Sequence, residues 1–199
     1  GGIDFCVLQA LTELPEENLL DALDEALAAH LVQPVNGPAE TYEFVHAIVR
    51  HALYDEWNPS RRVRLHRRLA EAIEQVYAGH TRERAAELTA QYHASISLPG
   101  AERGLPYALA AAEQAKAAYT GTRAVGFLRM ACDFAAADPT RRADSLCQLA
   151  IMEAEALLLQ DARRSVEAAL EALTAVNAAP AATAAFLARA AAALKDGGA

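Results

Sequence analysis

Residues 42–73, YEFVHAIVRHALYDEWNPSRRVRLHRRLAEAI, hold three of the six histidines, the only tryptophan and five arginines within eight positions. Such a cluster invites three chemistries: metal binding, acid–base catalysis and recognition of phosphate. Metal is disfavoured by spacing. His46 and His51 stand five apart, about 140° around a helix, whereas a zinc pair at i, i+4 shares one face. His66 lies further on, and no carboxylate completes a set. No Ser/His/Asp or Cys/His signature accompanies the histidines. A GxxxxGK[ST] loop is missing, as is any Gly-rich strand-to-helix turn. The sequence therefore predicts no enzyme, no metal and no tight ATP binding by this chain alone.

The elements that position these residues are mostly helices. By count 49 of 199 residues are Ala, the best helix former, and strand-favouring residues are sparse. Residues 4–14 read as a short helix with Phe5, Leu8 and Leu11 inward. Pro15 opens a second helix, with Glu16 and Glu17 in its favourable first turn. Its stripe is Leu19, Leu23, Leu27 and Leu31. Val32 to Val35 and Thr41 to Val45 flank the turn signal Asn36-Gly37-Pro38 and read as a small β-hairpin. Val45, Ile48, Val49, Ala52, Leu53 and Trp57 predict the next helical stripe. Asn58 caps a helix with Pro59 in its first position, running to about Ala78, and Gly79 ends it. Val63, Leu69, Ile73 and Val76 face inward there. Thr81 caps a further helix carrying Ala85, Leu88 and Tyr92. A polar loop, SISLPGAERG, follows.

From Leu105 the chain reads as antiparallel helical pairs. Ala112, Ala124, Leu128 and Ala131 recur 38 residues later as Ala150, Ala162, Val166 and Ala169. Small residues at such points let two helices approach closely. Turns are expected at Thr120-Gly121 and Gln160-Asp161, and a third copy around Ala188. The pattern is similar to tetratricopeptide repeats, whose period is about 34 residues. The expected fold is mainly α. It comprises a winged-helix-like unit with one small hairpin (residues 1–79), a linking helix and loop (80–104) and a tetratricopeptide-like solenoid (105–199).

Charge separates the parts. Residues 1–49 carry nine acidic and no basic side chains, residues 50–84 eight Arg against five acids, and the rest ten basic against twelve acidic, for a net −8. The Arg cluster, Arg61, Arg62, Arg64, Arg67 and Arg68, is the only basic patch beside the winged-helix-like unit. The helix that would enter a DNA groove carries Glu16, Glu17, Asp21, Asp24 and Glu25 without one Lys or Arg. DNA affinity rests largely on phosphate neutralisation, so direct nucleic-acid contact is not expected. Two readings of the Arg cluster stand. It is a solvated face pairing with Glu71 or Glu74, or it docks onto the acidic N-terminal helices or onto another domain. Three Cys far apart suit a reducing cytoplasm. No apolar run reaches the roughly 20 residues of a membrane span. A start at Gly-Gly rather than Met suggests a fragment. The 16 Arg to 2 Lys and the abundant Ala are associated with GC-rich bacterial genomes.

Phe44, His46, Arg50, Leu53-Tyr54 and Arg62 to His66 resemble a run found in STAND-class ATPases. These signal-transduction NTPases include the large ATP-binding LuxR-type transcription regulators. The resemblance covers roughly residues 3–137. It implies an upstream ATPase domain binding ATP or ADP in the parent protein, then a winged helix and tetratricopeptide-like repeats. Relatives of that class open the same helix with Met-His-Asp, whose His contacts the β-phosphate of ADP. Here the matching residues are Val45, His46 and Ala47, so the Asp is missing. A nucleotide-sensing role is implied for His46, with Arg50 in the same run. Read from the residues alone, His46 caps or braces the hairpin–helix junction. The implied function is a regulatory relay between the ATPase switch and a protein or small-molecule inducer read by the repeats. Alternatives are the same module in an ATPase-coupled nucleotide cyclase or kinase, and a free-standing DNA-binding winged helix. The repeats serve equally as a peptide groove, a scaffold or a dimer surface.

Overall fold

The structure is a computed structural model describing residues 2–12, 14–35 and 40–196. It is mainly helical, with one small sheet. Two compact units divide at Thr81/Arg82.

The first unit, Gly1–Thr81, opens on a strand the sequence reading lacks. β1 (Ile3–Asp4) precedes α1 (Phe5–Thr12), where one helix was expected from residue 4. It pairs antiparallel with β3 (Thr41–Phe44), which also pairs with β2 (Val32–Val35). The hairpin is thus two strands of a three-stranded sheet of order β1-β3-β2. Two residues carry too little pattern to announce a strand. The turn expected at Asn36-Gly37-Pro38 lies outside the described residues. Pro34 is tolerated because β2 is an edge strand with no further ladder to supply.

Between β1 and β2 lie α1 and α2 (Glu16–Ala28). Leu19 and Leu23 bury with Phe5, and Leu8 and Tyr42 pack against them. Each buried Leu contributes about 1.5–3 kcal/mol. The predicted stripe stops short of Leu31, which is exposed beyond the helix end. There His30 takes a positive φ of 54°, and the Leu31 amide bonds back to the Ala26 carbonyl. After β3 come α3 (Ala47–Asp55) and α4 (Pro59–Val76). The Asn58 side chain accepts from the Arg61 amide at 2.9 Å, the expected cap, and Gly79 follows at φ 85°. α4 packs on α1, burying Ala70, Ala72 and Ile73. The Tyr77 hydroxyl donates to Asp4 at 2.9 Å, tying the end of α4 to β1.

The second unit, Arg82–Ala199, starts inside the stretch read as a link. Its described α-helices are α5 (Ala85–Ala94), α6 (Leu105–Ala117), α7 (Gly121–Phe134), α8 (Pro139–Glu155), α9 (Leu159–Ala175) and α10 (Pro180–Asp196). α5 buries Ala85, Leu88 and Tyr92, but Thr81 does not cap it, because a 3-10 turn over Thr81–Arg84 comes between. Ala112, Ala124, Leu128 and Ala131 are buried, as are Ala150, Ala162 and Ala169, with Val166 packed against that core. The 38-residue spacing also holds in the backbone. Tyr119 and Leu157 have φ of 55° and 61°. The next amide in each case, Thr120 or Leu158, bonds five residues back, to Ala115 or Glu153. These are matching Schellman closures. The second turn is therefore residues 156–158, and Gln160-Asp161 already lies in α9. A leucine in the left-handed conformation gives no turn signal, which is why the reading slipped. The third copy does not continue at Ala188 either, since that residue is exposed while α10 buries Phe186, Ala190 and Ala193.

Candidate functional site

Strand β3 delivers the chain to α3 through Val45 and His46. His46 is the N-cap residue of α3, with extended backbone (φ −123°, ψ 124°). Its carbonyl accepts from the Val49 and Arg50 amides at 3.1 and 3.3 Å, but its ring makes no capping hydrogen bond. His46 thus caps α3 through its backbone and not through its ring. His46 and Arg50 are both exposed and, four apart, lie on one face. An Arg50 guanidinium nitrogen sits 3.4 Å from Nε2 of His51.

α3 departs most from expectation. It carries the apolar stripe the sequence predicts, yet none of its described residues is buried, and Ile48 is 78% exposed. Leu53 and, just before the helix, Phe44 are also exposed. Periodicity reports that a helix has an apolar face. It does not say whether the covering partner lies within the same chain.

What ties α3 to α4 is polar and aromatic. The Tyr54 hydroxyl and Nε2 of His66 share a hydrogen bond of 2.9 Å, with the rings edge-on at 5.9 Å. The Arg62 guanidinium lies 5.0 Å from the Tyr54 ring centre and 3.4 Å from Asp55. Arg61 stands 4.8 Å over Trp57. Stacked cations near the surface contribute about 0.5–1 kcal/mol each. Tyr54, Arg62 and His66 of the motif run thus form a clasp, whereas Phe44, His46 and Arg50 of the same run face solvent.

The other arginines are placed separately. Arg64 donates to the Ser60 carbonyl at 3.2 Å, along its own helix. Arg68 reaches the Leu11 carbonyl at 2.7 Å, at the end of α1, where a cation complements the helix dipole. Arg67 is half-buried. The cluster is therefore not one continuous surface. On the acidic side, Glu16, Glu17, Asp21, Asp24 and Glu25 of α2 are all exposed.

The second unit holds a polar centre that the sequence reading missed. Glu153 on α8 is buried, 1% exposed. It accepts from Arg129 on α7 at 2.8 Å and from the Ser165 hydroxyl on α9 at 2.6 Å. Arg129 also donates to Asp161 at 3.0 Å, and Arg164 pairs with Asp161. Hydrogen bonding from Arg164, then from Arg129, holds the Asp161 carboxyl below its ordinary range, and the carboxylates raise Arg129. The network joins three helices, α7, α8 and α9. One signal was available. Glu153 shares a face with Ala150 of the small-residue stripe, and a carboxylate there needs a buried partner.

Cys132 and Cys147 are half-buried, and burial pushes each thiol up to about 11. Cys6 is exposed. No group of three or more His, Cys, Asp or Glu among the described residues is placed to hold a metal ion. No described helix is long and apolar enough to cross a membrane. Comparison with protein-family models, curated proteins and solved structures finds no match to the chain.

Proposed function

We propose that this chain is a non-catalytic regulatory and interaction fragment of a multidomain STAND-class ATPase transcription regulator, of the large ATP-binding LuxR type. It relays between an upstream ATPase switch and a signal or partner read by the helical pairs. On this reading the first unit is a winged helix used for protein contact. Two helices separated by three residues precede a hairpin, as in a helix-turn-helix, and α4 closes the unit against α1. The second unit is then a tetratricopeptide-like solenoid, and the parent works in the bacterial cytoplasm.

The observation that carries the reading is α3. It is preceded by its N-cap His46, has Arg50 in its first turn, and buries none of its described residues in this chain. An apolar helix left uncovered beside a polar rim is the mark of a docking surface. The clasp of Tyr54, Arg62 and His66 supports it by tying the end of α3 to α4 and leaving that face open. In the parent, the ATPase domain covers α3, and His46 donates to a phosphate oxygen of bound ADP, a charge-assisted bond when the imidazole is protonated. Arg61, Arg64 and Arg67 contribute to docking from α4.

Nucleotide retention by the parent carrying His46→Ala tests this. Weakened ADP retention with raised basal activity is expected; unchanged affinity and activity would sink the assignment. Against the free-standing DNA-binding alternative stands the exposed acid of α2. A gel shift at low salt should show no tight, sequence-dependent complex, and finding one would overturn the protein-contact reading. A nucleotide cyclase or kinase bearing the same module differs only in its output domain.

A further inference from the structure

The second unit contains a groove of about 850 Å³ that neither the sequence reading nor the regulatory proposal uses. It is bounded by the end of α5, the residues leading into α6, and the passage from α7 to α8. Its floor is apolar, with Leu105 and Phe134 buried and Leu98 half-buried. The geometry points to a binding site for a short peptide segment in which a large apolar side chain stands next to an arginine or lysine.

The volume falls in the roughly 300–1,000 Å³ range of small-molecule and side-chain pockets, room for one aromatic or leucine side chain with its neighbour. The charge around it selects a cation. α5 and α7 both end at the groove, through His93 and Asp133, so two negative helix ends lie along its wall. Glu102 and Asp133 add carboxylates. His93 sits 2.9 Å from Asp133 and edge-on to Phe134 at 5.8 Å, which fixes the Asp133 side of the rim. The one arginine present, Arg141, adds no net charge, because its guanidinium pairs with Asp138 at 3.3 Å. Asp138 in turn caps α8 by accepting from the Arg141 amide at 3.0 Å, which quenches the positive helix end. An acidic peptide meets repulsion at Glu102 and Asp133; a wholly polar one leaves the apolar floor wet. The inference does not depend on the STAND resemblance.

The test is fluorescence anisotropy of the whole chain with a fluorescein-labelled peptide, Gly-Leu-Arg-Trp-Arg-Gly, at low ionic strength. Saturable binding is expected. Replacing both arginines of the peptide by glutamate, or its Leu and Trp by Ala, should abolish it. Glu102→Gln should weaken binding by roughly 1.5- to 5-fold, as for a solvent-exposed ion pair. Ala137→Trp, which fills the groove from an exposed position, should abolish it while circular dichroism stays unchanged. Three results would overturn the site: no saturable binding by the folded protein, binding indifferent to both variants, or an equal loss with Glu25→Gln on α2. The last would mean attraction to the acidic chain in general.

Discussion

The two units stabilise themselves differently. Among the described residues, the first 81 positions bury seven apolar side chains and the following ones twenty-seven. In the second unit the buried set is mostly Ala, and stability comes from the close approach of successive helices repeated along the chain. In the first, a few large residues around Phe5, Leu19 and Leu23 and a small core on α4 support a sheet and four helices. One of those helices, α3, contributes no described residue to the core at all. Unequal burial shows which helices are covered within the chain and that α3, among the described residues, is not. The second unit satisfies even a buried carboxylate internally, while the first leaves Phe44, Ile48 and Leu53 at the surface.

That contrast is most sharply broken at Glu153. Arg129→Met leaves the buried carboxylate with Ser165 alone, and should destabilise the second unit by about 3 kcal/mol at neutral pH. Adding Glu153→Met should restore most of the loss, since an apolar pair of similar volume replaces two charges. Urea denaturation read by circular dichroism measures both; a lone Arg129→Met with no effect would remove the network from the account. Next, Ala169→Leu in the wholly buried stripe should cost about 1–3 kcal/mol by overpacking. Ile48→Ser on α3 should shift stability by less than about 0.5 kcal/mol. Equal effects at the two sites would erase the distinction between covered and uncovered helices.

An effect of opposite sign is expected at the repeat turns. Tyr119 is 97% exposed and holds a φ of 55°, so Tyr119→Gly removes left-handed strain without removing burial. It should stabilise the second unit by about 1 kcal/mol. A further effect, confined to high pH, concerns the thiols. Cys6 should react first with a disulfide reagent near pH 8, and Cys132 and Cys147 slowly. Because burial raises the folded values of these two from 9 to about 11, the unfolded chain loses its protons first as pH rises. Their contribution to stability is whole below pH 9 and is lost on rising through pH 11. A melting temperature that holds steady over that window would contradict it.

How much of this was readable depended on whether a signal is local. Asn58 before Pro59, Gly79 after α4, and the alanines 38 apart announced themselves, because caps and helix contacts are set by side-chain type at fixed spacing. β1 was not readable, since two residues gain strand character only through their pairing with Thr41 and Tyr42. The turn at Leu157 escaped because a leucine there is tolerated by the Glu153–Leu158 backbone bond rather than favoured by its own conformation. The apolar stripe of α3 was legible, its solvent exposure was not: sequence periodicity is identical for a helix buried at home and one buried by a partner. For the same reason the motif run divides into a clasp (Tyr54, Arg62, His66) and an open face (Phe44, His46, Arg50) only in three dimensions. The arginines read as one cluster, and contact geometry separates Arg68, on the end of α1, from Arg61 over Trp57.

The central claim is that α3 is a docking face completed by a nucleotide-bound domain of the parent protein. Hydrogen–deuterium exchange on residues 47–55, in the isolated chain and in the ADP-bound parent, tests it most directly. In the isolated chain α3 should exchange faster than α8. Protection of α3 should rise by at least about tenfold in the parent, corresponding to roughly 1.4 kcal/mol of added local stability. Equal exchange of α3 in the two contexts, with α8 protected in both, would contradict it.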